Sequence, residues 1–201
     1  MSQAPRIVLA SASPRRADLL RQLGLEPEVR PAHVDETYLP GESAEAHVER
    51  LARAKAEAIA RSEPGALVVG GDTVVVDGVR ILGKPRDEAE AVEMLLALAG
   101  KSHLVLSGIA VAGPAGTTSA VGRARVRFRA FGPGEARAYA ATGEPMDKAG
   151  AYGIQGLGAA LVEAVDGDYY TVVGFPIGRF VELLERSGWR YAFGSLHPME
   201  P

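Results

Sequence analysis

Residues 11–16 place two hydroxyls and two guanidiniums close together, as Ser11, Ser13, Arg15 and Arg16. They follow a short apolar run and precede a helical pattern, so they lie at a predicted junction between a strand and a helix. Free N–H groups and the positive end of the helix dipole favour an anion there, and guanidinium geometry suits phosphate. The segment predicts a phosphate site, and a capped helix with two solvated arginines is the alternative.

Asp72 is an isolated carboxylate between two valine-rich runs, 67–69 and 74–76, that should be buried. Burying a charge is costly unless the charge binds a cation or accepts hydrogen bonds. An aspartate in this position therefore indicates a functional role. Residues 70–73 separate the two predicted strands, and a turn aspartate satisfied by neighbouring N–H groups is the alternative.

Lysine is rare in this chain, because eighteen of its 22 basic residues are arginine. Lys55 lies beside the apolar face of a predicted helix, and Lys84 occupies a constrained Gly-Lys-Pro turn before another helix. A compact ammonium at such a position suits a phosphate group. The alternative is a solvent-exposed lysine that binds no ligand, which the sequence does not distinguish.

Residues 144–156 form a polar loop that is long for a compact domain, and loops of this length are often functional. The loop contains Lys148 and Gln155. The amide of Gln155 presents a donor and an acceptor, which could read the edge of a base. A structural loop whose glycines only permit positive φ is the alternative.

The composition excludes several other classes of protein. Cysteine is absent from the 201 residues, which rules out disulfides, thiolate nucleophiles and Cys-ligated zinc and fits a reducing cytoplasm. A net charge of −3 indicates neither nucleic acid nor an anionic membrane as partner. No apolar run approaches the roughly 18 residues of a membrane span. Residues 100–102 (Gly-Lys-Ser) lack the earlier glycine of a Walker loop, and the histidines show no metal-ligand spacing.

Short runs rich in Val and Ile alternate with helical patterns, which predicts an α/β protein with one core. The first helix has complete signals, because Ser13 would cap it, Pro14 would begin it and Gly24 would end it. Asp77-Gly78 and Asp166-Gly167 are predicted hairpin turns. The predicted strands are 7–10, 67–69, 74–76, 104–112 and 120–128, and the further predicted helices are about 44–61, 87–99, 134–141 and 176–188.

Four arginines, Arg123, Arg125, Arg127 and Arg129, alternate with apolar residues along one predicted strand. This spacing places the four guanidiniums on one face of the sheet. We interpret that face as solvated. A nucleic-acid ridge is the alternative, although no aromatic stacking platform accompanies it.

Four motifs, in this order, resemble the Maf family of nucleoside triphosphate pyrophosphatases over nearly the whole chain. They are LASASPRR (9–16), VVGGDTVVV (68–76), LGKPRDEAEAVEMLLALAGKSH (82–103) and EPMDKAGAYGIQG (144–156). The resemblance implies a single Maf-like domain over residues 1–201. Its fold would be mixed α/β, similar to inosine triphosphate pyrophosphatases. A largely elongated central sheet with flanking helices would form two lobes around the active-site cleft.

The resemblance also implies a hydrolase of acid anhydrides that converts a nucleoside triphosphate to its monophosphate and pyrophosphate with a divalent metal, Mg²⁺ or Mn²⁺. Arg15, Thr73 and Gln155 match the specificity positions of the group that acts on dTTP and UTP, and modified pyrimidine nucleotides would be further substrates of such a house-cleaning enzyme. Gly71 is a departure, because alanine is more usual before the motif aspartate. Two alternatives are a 7-methyl-GTP-type pyrophosphatase, which differs at the position of Thr73, and a regulatory role in cell division and septum formation.

The chemistry and the resemblance together assign roles to residues. In-line transfer of a phosphoryl or nucleotidyl group requires positioning and neutralised charge more than covalent chemistry. We expect Asp72 to act as general base on water and to hold the metal together with Glu36. The predicted phosphate-binding residues are Ser11, Ser13, Arg16, Lys55, Lys84 and Lys148. Arg15 is expected to contact the triphosphate as well. The expected partner is the nucleotide, with no nucleic acid and no membrane, and a homodimer stays open.

Overall fold

The structure is a computed structural model that describes residues 5–199. Within this range the chain forms nine strands and six α-helices. The strands are β1 (Ile7–Leu9), β2 (Pro27–Val29), β3 (Leu67–Asp77), β4 (Arg80–Leu82), β5 (Ser102–Gly113), β6 (Gly116–Phe128), β7 (Val162–Gly167), β8 (Trp189–Tyr191) and β9 (Leu196–Pro198). The helices are α1 (Pro14–Gln22), α2 (Ala44–Ala60), α3 (Glu88–Leu98), α4 (Pro133–Ala140), α5 (Tyr169–Val173) and α6 (Ile177–Arg186). Three 3-10 helices occupy Glu144–Asp147, Ala149–Ala151 and Leu157–Leu161.

Seven strands form one mixed sheet in the order β2-β1-β3-β5-β6-β7, with β4 paired to β3. Strand β1 is parallel to both of its neighbours, with Ile7 opposite Pro27 and Leu67, whereas β7 is antiparallel to β6. The hairpin turn predicted at Asp77-Gly78 is present one residue later, because Asp77 pairs with Arg80 and Gly78-Val79 joins β3 to antiparallel β4. Strands β8 and β9 form a separate antiparallel pair. The predicted mixed α/β fold, with a central sheet and flanking helices, is confirmed. None of the helices described between residues 5 and 199 is long and apolar enough to cross a membrane.

The chain divides into two compact units, each built from separate stretches of sequence. Unit 1 contains the described residues up to Asp72, then Ser107–Gly122, and those from Gly174 onward. Unit 2 contains Thr73–Leu106 and Arg123–Val173. The predicted arrangement of one domain with two lobes around a cleft stays a prediction.

Helices α2 and α3 begin at side-chain caps. Ser43 accepts the N–H of Ala46 at 3.1 Å, and Asp87 accepts the N–H of Glu90 at 2.8 Å. Ser13 takes the predicted N-cap position of α1, but in the described part of the chain its side chain makes no capping hydrogen bond. The predicted position of the helix start is therefore confirmed, while the predicted cap is wrong.

The two strands predicted on either side of residues 70–73 are in fact one continuous strand, β3. Glycine usually weakens a strand, which is why the sequence predicts a break at this point. In the structure a Cβ at Gly70 would lie 2.2 Å from the carbonyl oxygen of Ala52 in α2. Gly70 therefore allows a helix to lie close against an unbroken strand.

The hairpin turn predicted at Asp166-Gly167 is wrong. Both residues belong to β7, where Asp166 lies opposite Arg125 and Gly167 lies opposite Ala124. Gly167 has a φ of +112°, and a Cβ there would lie 2.9 Å from the carbonyl oxygen of Arg123. This glycine serves the close approach of two strands rather than a tight turn.

Strand β6 carries three of the four arginines of the predicted ladder, whereas Arg129 follows the end of the strand. Arg123, Arg125 and Arg127 are exposed, and the apolar residues between them are buried. Arg127 pairs with Glu163 at 3.1 Å, and Arg129 pairs with Glu135 at 2.6 Å. The predicted solvated outer face is confirmed for the three arginines on β6, and Arg129 is half-buried.

Candidate active site

Lys55 joins two carboxylates into one ion-paired group. Its Nζ lies 2.6 Å from Oε1 of Glu36 and 2.7 Å from Oδ1 of Asp72. The side chains of Lys55 and Asp72 are 10% and 14% exposed, whereas that of Glu36 is 58% exposed. The group therefore has a buried end at Asp72 and a solvent-facing end at Glu36.

Helix α2 positions Lys55 because it lies very close to the sheet. A Cβ at Gly70 of β3 would lie 2.2 Å from the carbonyl oxygen of Ala52, and a Cβ at Gly108 of β5 would lie 2.2 Å from that of Val48. Val48 and Ala52 are about one helical turn apart, so both glycines pack against the same face of α2. Lys55 follows on the next turn and reaches the carboxylate two residues beyond Gly70.

Arg16 is held in place by two hydrogen bonds of its guanidinium. Its Nε donates to the carbonyl oxygen of Gly174 at 2.9 Å, and its Nη1 donates to Oγ of Ser11 at 3.0 Å. Burial lowers the pKa of Arg16, and the charge of Asp72 opposes that shift. A Cβ at Gly71 would lie 3.0 Å from Nε of Arg16, so the residue that departs from the usual alanine borders this guanidinium.

The start of α1 gathers the predicted hydroxyl donors. Oγ of Ser11 accepts the N–H of Ser13 at 3.2 Å as well as the bond from Arg16. Arg15 is half-buried on the first turn of α1, and its charge contributes to lowering the pKa of Arg16. The structure thus brings these four residues together as predicted, and their roles toward phosphate stay predictions.

The loop that contains Glu36 is bound to α2 by hydrogen bonds to Glu42. Arg50 of α2 donates to Glu42 from Nε at 2.6 Å and from Nη2 at 2.9 Å. Nη2 of Arg50 also donates to the carbonyl oxygen of Thr37 at 3.0 Å. Because Thr37 follows Glu36 in the chain, these bonds restrict the backbone beside the solvent-facing carboxylate.

Tyr38 and His47 form further contacts between this loop and α2. Their rings are stacked with centroids 3.5 Å apart, and Nδ1 of His47 lies 3.0 Å from Oε2 of Glu42. Burial raises the pKa of Tyr38 to about 12, and the charges of Asp72 and Glu42 add to the effect. Sequence reasoning missed this group. The available signal was a histidine on the buried face of α2 with an arginine three residues later, since that spacing places both on one side of a helix.

Glu42 should make stability depend on acid pH. Its hydrogen bonds from Arg50 and its other donors lower its pKa to about 2, from an ordinary 4.5. A carboxyl whose pKa is depressed by folding stabilises the protein above its unfolded pKa, and this contribution is lost as the pH falls through the folded pKa. We expect Glu42→Gln to lower the free energy of unfolding at pH 7, and the difference from wild type to shrink between about pH 4.5 and pH 2.

Urea denaturation of both proteins at a series of pH values measures this difference. Glu26→Gln is the control, because it makes the same chemical change in a side chain that is 83% exposed. Its stability should follow that of wild type at each pH. A Glu42→Gln deficit of constant size across the acid range would show that the carboxylate charge does not stabilise the fold.

The other predicted site residues, Thr73, Lys84, Lys148 and Gln155, belong to unit 2. Thr73 is half-buried on β3, while Lys84 and Gln155 are exposed. The N–H of Gly150 donates to the carbonyl oxygen of Gly83 at 3.0 Å. This bond connects the turn that contains Lys84 to the loop that contains Lys148.

Lys148 is largely occupied by its own loop. Its side chain is 15% exposed, and its Nζ donates to Oδ1 of Asp147 and to the carbonyl oxygen of Glu144, each at 2.6 Å. These bonds place the ammonium where it stabilises the loop. Its predicted role toward phosphate stays a prediction.

Glu36 and Asp72 are the side chains that could hold a divalent cation. No cluster of three or more potential metal ligands is found among residues 5–199. A two-carboxylate site nevertheless fits Mg²⁺, which proteins commonly bind through one or two carboxylates together with water and substrate phosphates. Each carboxylate offers about four lone-pair positions, so the shared ammonium of Lys55 does not saturate the pair.

Comparison with known proteins identifies a family and several relatives. The family model described as "Maf-like protein" matches residues 6–187. The chain is 53% identical over 188 residues to the dTTP/UTP pyrophosphatase of Myxococcus xanthus (strain DK1622), covering 92% of this chain and 95% of that protein. It is 50% identical over 183 residues to the dTTP/UTP pyrophosphatase of Moorella thermoacetica (strain ATCC 39073 / JCM 9320), covering 89% and 93%. Among solved structures, that of the Staphylococcus aureus Ham1 protein aligns with a TM-score of 0.45 and 19% identity, covering 61% of this chain and 71% of that one.

Proposed function

The chain belongs to the Maf family, and we propose that it is a nucleoside triphosphate pyrophosphatase that hydrolyses dTTP and UTP. The products would be the nucleoside monophosphate and pyrophosphate. The observation that carries the proposal is the group of Glu36, Lys55 and Asp72, because it provides a fixed carboxylate beside an exposed one. Two relatives that are about 50% identical to this chain are named dTTP/UTP pyrophosphatase.

Asp72 would take the proton of the attacking water. The water oxygen forms a bond to the α-phosphorus. The phosphoanhydride bond between the α and β phosphates breaks, and pyrophosphate leaves. Lys55 keeps the Asp72 carboxylate in one orientation through its 2.7 Å contact. A base held in one orientation near the water is what general-base catalysis requires.

The triphosphate would be neutralised by the donors at the start of α1. Arg16 is oriented by its bonds to Gly174 and Ser11, and the helix start adds N–H groups and a positive dipole end. A divalent cation held by Glu36 and Asp72 would neutralise further phosphate charge and polarise the phosphoryl oxygens. We propose Mg²⁺ or Mn²⁺ in this role. Lys84 and Lys148 stay proposed phosphate-binding residues.

The base would be selected by Gln155, with Arg15 and Thr73 as further specificity residues. Uracil and thymine present an acceptor at O4 beside a donor at N3, and one amide can pair with both. The same amide turned over would pair with cytosine, so selection requires that Gln155 be held in one orientation. A house-cleaning role would extend to modified pyrimidine nucleotides of the cytoplasmic pool. A homodimer stays a prediction.

A screen of nucleoside triphosphates tests the proposal. We expect dTTP and UTP to be hydrolysed with higher kcat/KM than CTP or GTP, in the presence of Mg²⁺ or Mn²⁺ and not with a chelator. Chromatography should find the monophosphate and pyrophosphate as products. Release of orthophosphate with a nucleoside diphosphate would contradict the cleavage position. Preference for 7-methyl-GTP, or no hydrolysis of any nucleotide, would favour one of the two alternative functions.

A further inference from the structure

Glu144 is the first residue of the 3-10 helix Glu144–Asp147, and it binds the start of the 3-10 helix Leu157–Leu161. Its Oε2 accepts the N–H of Leu157 at 2.8 Å, and its Oε1 accepts the N–H of Gly158 at 3.1 Å. Both N–H groups lie shortly after Gln155 in the chain. The carboxylate therefore fixes the backbone on the C-terminal side of the proposed base reader.

Tyr139 of α4 extends the same connection to the other side of Gln155. Its hydroxyl donates to Oε1 of Glu144 at 2.8 Å and accepts the N–H of Gly153 at 3.1 Å. Gln155 is thus exposed at the middle of a segment whose backbone is tied at both ends to one carboxylate and its hydroxyl partner. Such a frame restricts the backbone, while the exposed side chain of Gln155 faces solvent, where it can meet a ligand.

Glycines make this frame sterically allowed. A Cβ at Gly156 would lie 2.4 Å from Oε2 of Glu144, and a Cβ at Gly158 would lie 2.4 Å from the hydroxyl oxygen of Tyr139. Neither glycine has a positive φ. Their positions therefore serve the close approach of the two side chains, and not a special backbone conformation.

The electrostatics keep Glu144 in its accepting form. Burial acts to raise its pKa, but hydrogen bonds from Leu157, Gly158 and Tyr139 outweigh it and lower the pKa below the ordinary value. An ionised carboxylate accepts hydrogen bonds on both oxygens, whereas a protonated one would present a donor to an N–H group. At neutral pH all three donors are matched.

We propose that Glu144 is the positioning residue for base selection, because it holds the backbone on which Gln155 presents its amide. This rests on the proposed function and on Gln155 as base reader. The role predicts a specific kinetic effect. A loosened loop lets the amide turn over, so cytosine gains relative to uracil and thymine.

The test is the ratio of kcat/KM for dTTP to that for CTP. We expect Glu144→Ala to lower this ratio by about tenfold, the effect of mispositioning one hydrogen bond to the base. Glu144→Gln keeps one accepting oxygen and should give an intermediate ratio. Gly156→Ala does not alter the carboxylate of Glu144 chemically, but the new methyl group displaces it, so this variant should lower the ratio as well.

Controls separate positioning from general stability. Glu135→Gln makes the same chemical change on α4, in a side chain that is 52% exposed and pairs only with Arg129 among the ion pairs of the described residues. It should keep the wild-type ratio. A purely structural role of Glu144 would lower kcat/KM for all nucleotides by the same factor and leave the ratio unchanged, which would overturn the inference.

A double variant tests whether Glu144 acts on base selection through Gln155. If Glu144 acts through Gln155, then adding Glu144→Ala to Gln155→Ala should cause no further fall in the ratio. Independent, additive effects would overturn the inference while the proposed function stands, because wild type would still prefer dTTP. A wild-type protein that hydrolyses no nucleoside triphosphate would overturn the proposed function and this inference together.

Discussion

Asp72→Asn is expected to lower kcat by about 100- to 10,000-fold, the range found when a general base is lost. The amide is nearly the same size as the carboxylate and can still accept a hydrogen bond from Lys55, but it cannot take a proton from water. The fold should remain, because Lys55 keeps its second carboxylate at 2.6 Å. Single-turnover kinetics with dTTP, together with circular dichroism, would measure both properties.

Two further variants make this result specific. Asp77→Asn makes the same substitution on the same strand, β3, and should keep nearly full activity. Glu36→Gln should mainly raise the Mg²⁺ or Mn²⁺ concentration required for half-maximal rate, since it removes a proposed metal ligand and leaves the base. Near-normal turnover of Asp72→Asn would assign the base elsewhere, with Glu36 the first candidate.

Gly70→Ala is expected to lower the free energy of unfolding by about 1–3 kcal/mol or more, as overpacking a close contact does. The new methyl group would meet the carbonyl oxygen of Ala52 at 2.2 Å, which is backbone and cannot rotate away. Helix α2 must therefore move off the sheet. Because α2 carries Lys55, the contact with Asp72 should lengthen, and kcat should fall with stability.

The matched control is Gly178→Ala in α6. Apart from its chain neighbours and the nearby backbone of α6, no described residue lies within 4 Å of a Cβ at this position. Alanine is favoured over glycine in a helix by about 1 kcal/mol. This variant should be slightly more stable than wild type and fully active. Urea denaturation and kcat/KM for dTTP would compare the two. Wild-type stability and activity of Gly70→Ala would show that α2 tolerates the displacement without disturbing Lys55.

Much of the fold follows from local sequence signals. Helix α2 was predictable at 44–61 because its apolar residues repeat at helical spacing, and the turn at Asp77-Gly78 was predictable to within one residue because turn chemistry is local. The prediction at 70–73 was wrong because glycine has two uses. It can break a strand, or it can allow a close neighbour, and only the position of α2 on the sheet shows which use applies. The same ambiguity explains the wrong turn at Asp166-Gly167.

The candidate site was predictable to a similar degree. Asp72 and Lys55 were identified as unusual because a charge stood among apolar residues. Their direct contact was not predictable, since it depends on how far α2 lies from β3. Glu144 was missed for a related reason. An acidic residue in a polar loop has no distinguishing sequence signal, and its role emerges only from the N–H groups that fold back onto it.

The division into units has a consequence for inheritance. The chain changes unit four times, after Asp72, Leu106, Gly122 and Val173, so neither unit corresponds to one stretch of gene. A single crossover between two relatives would always divide unit 1 between the two parents, because unit 1 contains both the first and the last of these stretches. Replacing unit 2 in a chimera, in order to transfer nucleotide preference, would require exchange of Thr73–Leu106 and Arg123–Val173 together.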